Sequence, residues 1–453
     1  MRVLVFSNDH VGTAMAGPGI RSYNFACELA KDFEVTLMVP RPTDLEIPAV
    51  EVVDVEGVEP DELAARVARF DAVVSQFLPL QVMRRLHARR TRVIYDLYIP
   101  FVERLGFLDA DLGAVADADA LPPRAEHLFA EGSRLVQRFA LATGTAFVCA
   151  SERQADLWLG MLAGLGRIDL ERYRRDPTLR NLVDVVPFGL PEEPPSSERP
   201  LLKGVYRGIG PDDRVLLWAG GVWNWLDPLT PIRAVARISR RRDDVKLLFL
   251  GLKRPVPAGQ TAMAARAVEL ARELGLLDRS VFFNFGWVPY EDRQSYLLEA
   301  DLGVSAHFAS LETHFAFRTR LLDYFWTGIP VVTTGGDVLG ELVRTRGLGR
   351  AVEPEDVDAW ERAIDELLAD EGLRDRLRPA FDAVRAEYTW PVVTEPLVRL
   401  LREPDRARDG SWNVRAMTLE DMALRARVSL ALGGPGSLAR RQAAKLARIV
   451  RRP

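Results

Sequence analysis

The chain has 453 residues, of which 48% are hydrophobic and 27% charged, and its net charge is −4. That balance is typical of soluble globular proteins and excludes wholesale disorder, and the length suits two or three domains of about 150 residues. The slightly acidic charge argues against a dedicated nucleic-acid binder.

Two cysteines, Cys27 and Cys149, exclude a disulfide framework or a cysteine zinc site and fit a reducing cytoplasm. The opening MRVLVFSNDH runs straight into a strand-like segment with no signal-peptide pattern. No stretch of 18 or more residues is predominantly apolar, so no membrane span is expected. A cytoplasmic protein is the starting expectation.

Short β-rich apolar runs then recur: RVLVFS (2–7), EVTLMV (34–39), DAVVSQ (71–76), RVIYDL (92–97), AFVCAS (146–151) and DVVPFG (184–189). Helical patterns separate them, as in RSYNFACELAKD (21–32), where Tyr23, Ala26, Cys27 and Ala30 fall near three-and-four spacing. Such alternation predicts parallel strands buried on both faces by helices. Residues 103–145 break the pattern with a long, mostly helical insertion.

PEEPPSSERP (191–200) reads as an interdomain linker, because proline cannot donate to backbone ladders; an ordinary surface loop would give the same composition. The strand pattern restarts with RVLLWAG (214–220), VKLLFLG (245–251), SVFFNFG (280–286), ADLGVSA (300–306), IPVVTT (329–334) and GRAVEP (349–354). Two doubly wound α/β domains, 1–190 and 201–403, are therefore predicted.

Residues 404–453 form a tail. Its last part, 437–453, carries six basic residues and no acid, with Leu438, Leu446, Ile449 and Val450 able to line one side of a helix. That pattern suits peripheral contact with a membrane surface or an anionic partner. A solvated basic helix or a frayed end accounts for it equally.

The stretch 281–334 carries the most specific signal. It reads Phe285-Gly286-Trp287-Val288, then Ala300-Asp301-Leu302, Glu312, and Leu322-Asp323-Tyr324-Phe325-Trp326-Thr327-Gly328-Ile329-Pro330-Val331-Val332. This order resembles the C-terminal half of GT-B glycosyltransferases, especially the family 4 retaining enzymes. The first-half loop AMAGPGIRSYNFACELA (14–30) is similar to that family's glycine-rich loop. Two departures stand out. The family's two glutamates have seven residues between them, whereas ten residues separate Glu312 from Asp323, and strict spacing back from Asp323 lands on Phe315. The basic pair usual after the first C-domain strand is absent, replaced by GGVWNWLDP (220–228).

The resemblance implies a GT-B fold, two Rossmann-like domains facing a cleft, with a crossover back to the first domain. It implies a UDP- or GDP-sugar donor, a hydroxyl acceptor, no metal and no further cofactor. Asp323 would accept from the ribose hydroxyls, and Gly286 and Val288 would approach the base. Gly220 and Gly221 would form the C-domain wall, and Gly17 and Gly19 would approach the transferred sugar or phosphate. For the missing charge the candidates are Arg318, with its bidentate fork, Arg320, Lys253 and Arg254. Asp96, at a strand end, would orient an acceptor hydroxyl; with Glu312 and Arg318 it completes the candidate catalytic set. Weaker candidates are Glu103, Arg21, His307, Asn224 and Asp227, while Trp223 and Trp225 read more as packing.

Other chemistries fare poorly. The five histidines lack metal-ligand spacing with cysteine or acid, and no G-x-S-x-G or Walker A sequence occurs. The glycine-rich loop lacks the strict dinucleotide pattern. An epimerase or hydrolase of the same architecture, or a catalytically degenerate partner protein, remain the rival readings.

Overall fold

The computed structural model describes residues 1–100, 123–197, 199–252, 261–286, 288–289 and 291–403, with a few positions between 419 and 427. Two parallel sheets form the framework. The first contains β1 (Arg2–Phe6), β2 (Glu34–Val39), β3 (Val50–Asp54), β4 (Ala72–Ser75), β5 (Arg92–Asp96), β6 (Ala146–Cys149) and β7 (Val183–Val185) in the order β3-β2-β1-β4-β5-β6-β7. The second contains β8 (Arg214–Gly221), β9 (Val245–Gly251), β10 (Val281–Phe283), β11 (Leu302–Ser305), β12 (Val331–Thr334) and β13 (Gly349–Val352) in the order β10-β9-β8-β11-β12-β13. The strand order reverses between β1 and β4 and between β8 and β11, with every strand still parallel, and such points are where open α/β sheets bind ligands beyond the strand C-termini.

The apolar runs predicted as strands are strands because both their faces are covered. After its exposed first residue β1 is wholly buried, and β4 and β11 are buried throughout. β3 was not anticipated from the sequence. It is an edge strand with half-exposed residues, so it lacks the continuous apolar run that marks the others.

The helices used below are α1 (Gly17–Leu29), α2 (Pro60–Val67), α3 (Leu80–Arg89), α4 (Pro123–Thr143), α5 (Glu152–Gly164), α6 (Leu170–Arg175), α7 (Leu229–Ile238), α8 (Ala262–Glu273), α9 (Arg293–Glu299), α10 (Leu311–Phe315), α11 (Arg320–Thr327), α12 (Val338–Arg346), α13 (Val357–Leu368), α14 (Leu373–Tyr388) and α15 (Trp390–Arg402). α4 covers the second half of the predicted insertion. Its first part, including Glu103, and the basic segment 437–453 lie outside the described residues.

The expected crossover is α15, which returns to the first domain. Its first residue, Trp390, packs on Phe188 and Phe25 with ring centroids 5.0 and 6.2 Å apart. A Cβ on Gly189 would come within 2.4 Å of the same indole, so glycine there admits the tryptophan. Burying such a ring contributes on the order of 2–3 kcal/mol. Arg92 donates to the carbonyl of Leu401 at 2.6 Å, and Arg399 and Arg402 pair with Asp184 and Asp32. The linker is tied down too: Ser196 N donates to Gln294 Oε1 at 3.1 Å, and Trp326 Nε1 donates to Glu193 O at 2.9 Å.

Candidate active site

Two adjoining cavities, of about 310 and 180 Å³, lie between the domains at the carboxyl ends of the sheets. The larger is walled by Asp9, His10 and Tyr98 of the first domain and by Trp223, Trp225, Phe317 and Arg318 of the second. The smaller sets Gly17, Ile20 and Phe188 against Gly220, Gly221, Leu250, Val288, Arg293 and Asp323. Both are lined by Met15, Ala16, Gly17, Trp223, Thr319 and Arg320. These six form the waist of one cleft.

The β8 end of that wall is fixed from behind. The buried hydroxyl of Tyr324 accepts from the N–H of Ala219 at 2.9 Å and lies 2.8 and 2.9 Å from the carbonyls of Leu217 and Val304. Gly220 has φ +99°, a conformation that L side chains resist. A Cβ on Gly221 would lie 2.9 Å from the Trp223 ring, which itself stacks on Trp225 at 5.8 Å. Asn224 and Asp227 cap helices instead of facing the cleft. Asn224 Oδ1 accepts from Met263 N at 2.9 Å, and Asp227 Oδ1 accepts from Leu229 N and Thr230 N at 3.1 Å.

Three arginines line the cleft, and their partners differ. Arg318 grips Glu312 with both ends of its fork, at 2.8 and 2.6 Å, and both side chains are 8% exposed. Arg293 lies 3.5 Å from Asp323. Arg320 donates from Nε to Ala219 O and from Nη2 to Gly221 O, each at 2.5 Å, with its guanidinium 4.5 Å from the Trp218 ring centroid. Burial pushes its pKa down to about 10, with Arg318's like charge acting the same way. Burial also raises the Asp323 carboxyl above its usual range, against the pull of Arg293 and Arg320.

Several expectations change here. Arg318 and Glu312 were candidates for phosphate and catalytic chemistry, but each has the other as its charge partner, so neither offers an uncompensated charge to a ligand. Asp96 was expected to orient an acceptor. It is 4% exposed and lines neither cleft cavity. Arg21 holds both its oxygens, at 2.7 and 2.8 Å, and also donates to the carbonyls of Pro187 and Val186. That pair ties α1 to the ends of β5 and β7.

Gly19 lines neither cavity, and its missing Cβ leaves room for the carbonyl of His10. Gly286 is exposed on a turn where Asn284 Oδ1 accepts its N–H at 3.1 Å, and it lines neither cavity. His307 is fully buried and bonded to Asp337 at 2.8 Å, which in turn caps α12. Lys253, Arg254 and Trp287 lie outside the described residues. Gly17, Gly220, Gly221, Val288, Arg320 and Asp323 do come together on the cleft wall.

The comparisons with known proteins point the same way. Residues 209–381 match the family described as Glycosyl transferases group 1. Sucrose-phosphate synthase from Thermosynechococcus elongatus superposes with a TM-score of 0.58 at 16% identity, over 88% of this chain and 98% of that one. HepE of Anabaena, in complex with UDP-glucose, superposes with a TM-score of 0.59 at 13% identity, over 88% and 99%. The chain has the GT-B glycosyltransferase fold. Its second domain carries the group 1 glycosyltransferase match. D-inositol 3-phosphate glycosyltransferase of Corynebacterium diphtheriae is 26% identical over 192 residues, 42% of each chain. The chain thus matches about two fifths of the length of that curated relative.

Within this GT-B cleft, sequence reasoning passed over His10, Tyr98, Arg293 and Thr319. A signal existed for His10, four residues beyond β1 and so at the carboxyl end of a central strand. The sequence reading treats it only as a metal ligand. Arg293 opens α9 thirty residues before Asp323, and nothing in the spacing couples the two. Among the described residues no group of three His, Cys, Asp or Glu side chains could hold a metal ion, and no helix is long and apolar enough to cross a membrane.

Proposed function

We propose that the chain transfers a sugar from a nucleoside diphosphate sugar to an acceptor hydroxyl, with retention at the anomeric carbon and without a metal. The observation that carries this reading is Asp323, a carboxylate lining the smaller cavity beside Val288, Gly220 and Gly221 within the matched region. A carboxylate can accept from both hydroxyls of a ribose, and glycine walls admit a flat base or a phosphate closely. HepE with UDP-glucose supports a uridine donor.

In this reading the acceptor oxygen attacks the anomeric carbon from the side of the departing phosphate. The bond from that carbon to the phosphate oxygen breaks, and the leaving diphosphate takes the acceptor proton. No protein base is needed, and the cleft contributes positioning and charge stabilisation. The larger cavity, with Tyr98, Trp223, Trp225 and Phe317, is the acceptor side. The product belongs to glycan, polysaccharide or glycosylated natural-product synthesis in the cytoplasm, with 437–453 as the segment for contact with the membrane face.

The test is a thermal-shift panel of UDP, GDP and NAD without metal, followed by turnover of the matching sugar nucleotides with EDTA present. A ligand at 100 times its dissociation constant adds about 2.7 kcal/mol to the folded state. A shift with one nucleoside diphosphate and transfer of its sugar with retained configuration is the expected result. Absence of both shift and turnover across the panel sinks the reading.

A further inference from the structure

We infer that Arg320 is the cation that holds the donor's diphosphate at the waist of the cleft, in place of the basic pair missing after β8. The inference rests on the nucleotide-sugar reading and names the group that reading left unassigned.

The first ground is charge. Arg293 and Arg318 each have a carboxylate within 4 Å, whereas Arg320 has none among the described residues and is held by the carbonyls of Ala219 and Gly221 and the face of the Trp218 ring. A half-buried guanidinium that faces only neutral groups is stabilised when an anion completes it. Two neutral donors would serve the carbonyls as well, so tying down β8 does not explain a full positive charge. Burial is the main cause of its lowered pKa, with the like charge of Arg318 adding to it and Tyr324 and Asp323 opposing it.

The second ground is position. Arg320 lines both cavities, and so stands where a nucleoside on the Asp323 side would join a sugar on the His10 side. The diphosphate is the linker between those two parts of a donor. Only part of the guanidinium's set of five N–H donors is used on Ala219 and Gly221, leaving the rest of the fork for phosphate oxygens. Opposite stands Gly17, whose added Cβ would meet nothing closer than the Tyr98 hydroxyl at 4.0 Å. Neither α1 nor α11 has a side-chain cap on the end it turns to the waist, so the helix starts add to the same potential.

The experiment titrates UDP, uridine and inorganic pyrophosphate into the full chain, as wild type, Arg320→Gln and Arg320→Lys, by calorimetry without metal. Wild type is expected to bind UDP and pyrophosphate. Arg320→Gln is expected to lose about 10- to 100-fold for both, the scale of a charge-assisted bidentate contact, with uridine unchanged. If the glutamine variant does not fold, Arg320→Lys keeps the charge but cannot span two carbonyls and a phosphate, and a smaller loss confined to the phosphate ligands is expected. Unchanged UDP and pyrophosphate affinity in a folded variant overturns the assignment, as does an equal loss for uridine. Pyrophosphate binding that depends on Arg320, with no nucleotide binding, would keep the cradle and overturn the donor reading. Wild type that binds neither pyrophosphate nor UDP overturns both.

Discussion

Arg318 and Glu312 face each other as a two-pronged ion pair, Nη1 to Oε1 at 2.8 Å and Nη2 to Oε2 at 2.6 Å, on the wall of the larger cavity. Six residues apart, they close the loop between α10 and α11. The end of α10 beside that loop also receives the first domain: Gln154 Nε2 donates to Phe315 O at 2.9 Å and Arg153 Nη1 to His314 O at 3.3 Å, while Arg153 Nη1 also reaches Gly336 O, between β12 and α12, at 2.7 Å. The pair therefore shapes the surface on which the two domains meet.

Glu312→Gln should accordingly cost stability first. Removing one member of a buried pair typically costs about 3–5 kcal/mol, because the other charge is left uncompensated. At roughly 2–4 °C per kcal/mol for domains of this size, a fall of about 6 °C or more in Tm is expected. The variant also releases Arg318 towards the cleft, so pyrophosphate should bind more tightly than to wild type. Unchanged Tm, read by calorimetry, would show that the pair is not the anchor described.

Asp96→Asn separates a structural role from a catalytic one. Asp96 and Arg21 have side chains only 3% and 1% exposed, and Arg21 also stacks over Phe25 and Tyr98, 4.5 and 4.9 Å from the ring centroids. Losing the charge should lower Tm by several degrees while UDP affinity of the folded protein stays within about twofold. A variant with native Tm and abolished turnover would restore the catalytic assignment.

Asp323→Asn should show a trade between stability and binding. Burial raises the carboxyl above its reference value of 3.8 in the folded protein. The folded state therefore holds this proton to higher pH than the unfolded chain, and stability falls as pH rises from 3.8 through the raised value. Asparagine removes that loss. Its Tm relative to wild type should climb across that window and stay level above it, while nucleotide affinity drops by about tenfold at pH 7, one charge-assisted bond. The check is Tm against pH for both proteins, beside UDP titration. A Tm difference independent of pH would refute the sign argued here.

What the sequence revealed and what it hid divide along physical lines. Buried central strands are continuous apolar runs, so β1, β8 and β11 were legible, whereas the half-exposed edge strand β3 was not. Asp323, which lines the smaller cavity, stood out in the sequence because it belongs to a contiguous motif. The partners of the charged residues were hidden, because Arg21 meets Asp96 across 75 positions and Arg320 meets Ala219 across 101. Arg318 and Arg320 are nearly equivalent in sequence, two positions apart. Arg318 precedes α11 and points at Glu312, whereas Arg320 is the first residue of α11 and reaches the carbonyls of β8, a difference that the fold alone sets.

Gly17 and Gly19 look alike in the sequence and should part company when each is changed to alanine. A Cβ on Gly19 would come within 2.1 Å of the His10 carbonyl oxygen, so the loop carrying Asp9 and His10 must move. A cost of at least about 1–3 kcal/mol is expected, as for other overpacked sites. A Cβ on Gly17 enters open space in the cleft, and alanine is the better helix former by roughly 0.5–1 kcal/mol. Gly17→Ala should therefore keep or slightly raise Tm while obstructing the waist, so that sugar-nucleotide turnover falls tenfold or more, on the order of 1.4 kcal/mol in the barrier. Thermal melts and initial rates on the two variants test both halves. A destabilised Gly17→Ala, or a stable Gly19→Ala with native activity, would mean that the loop between β1 and α1 is packed differently from the arrangement described.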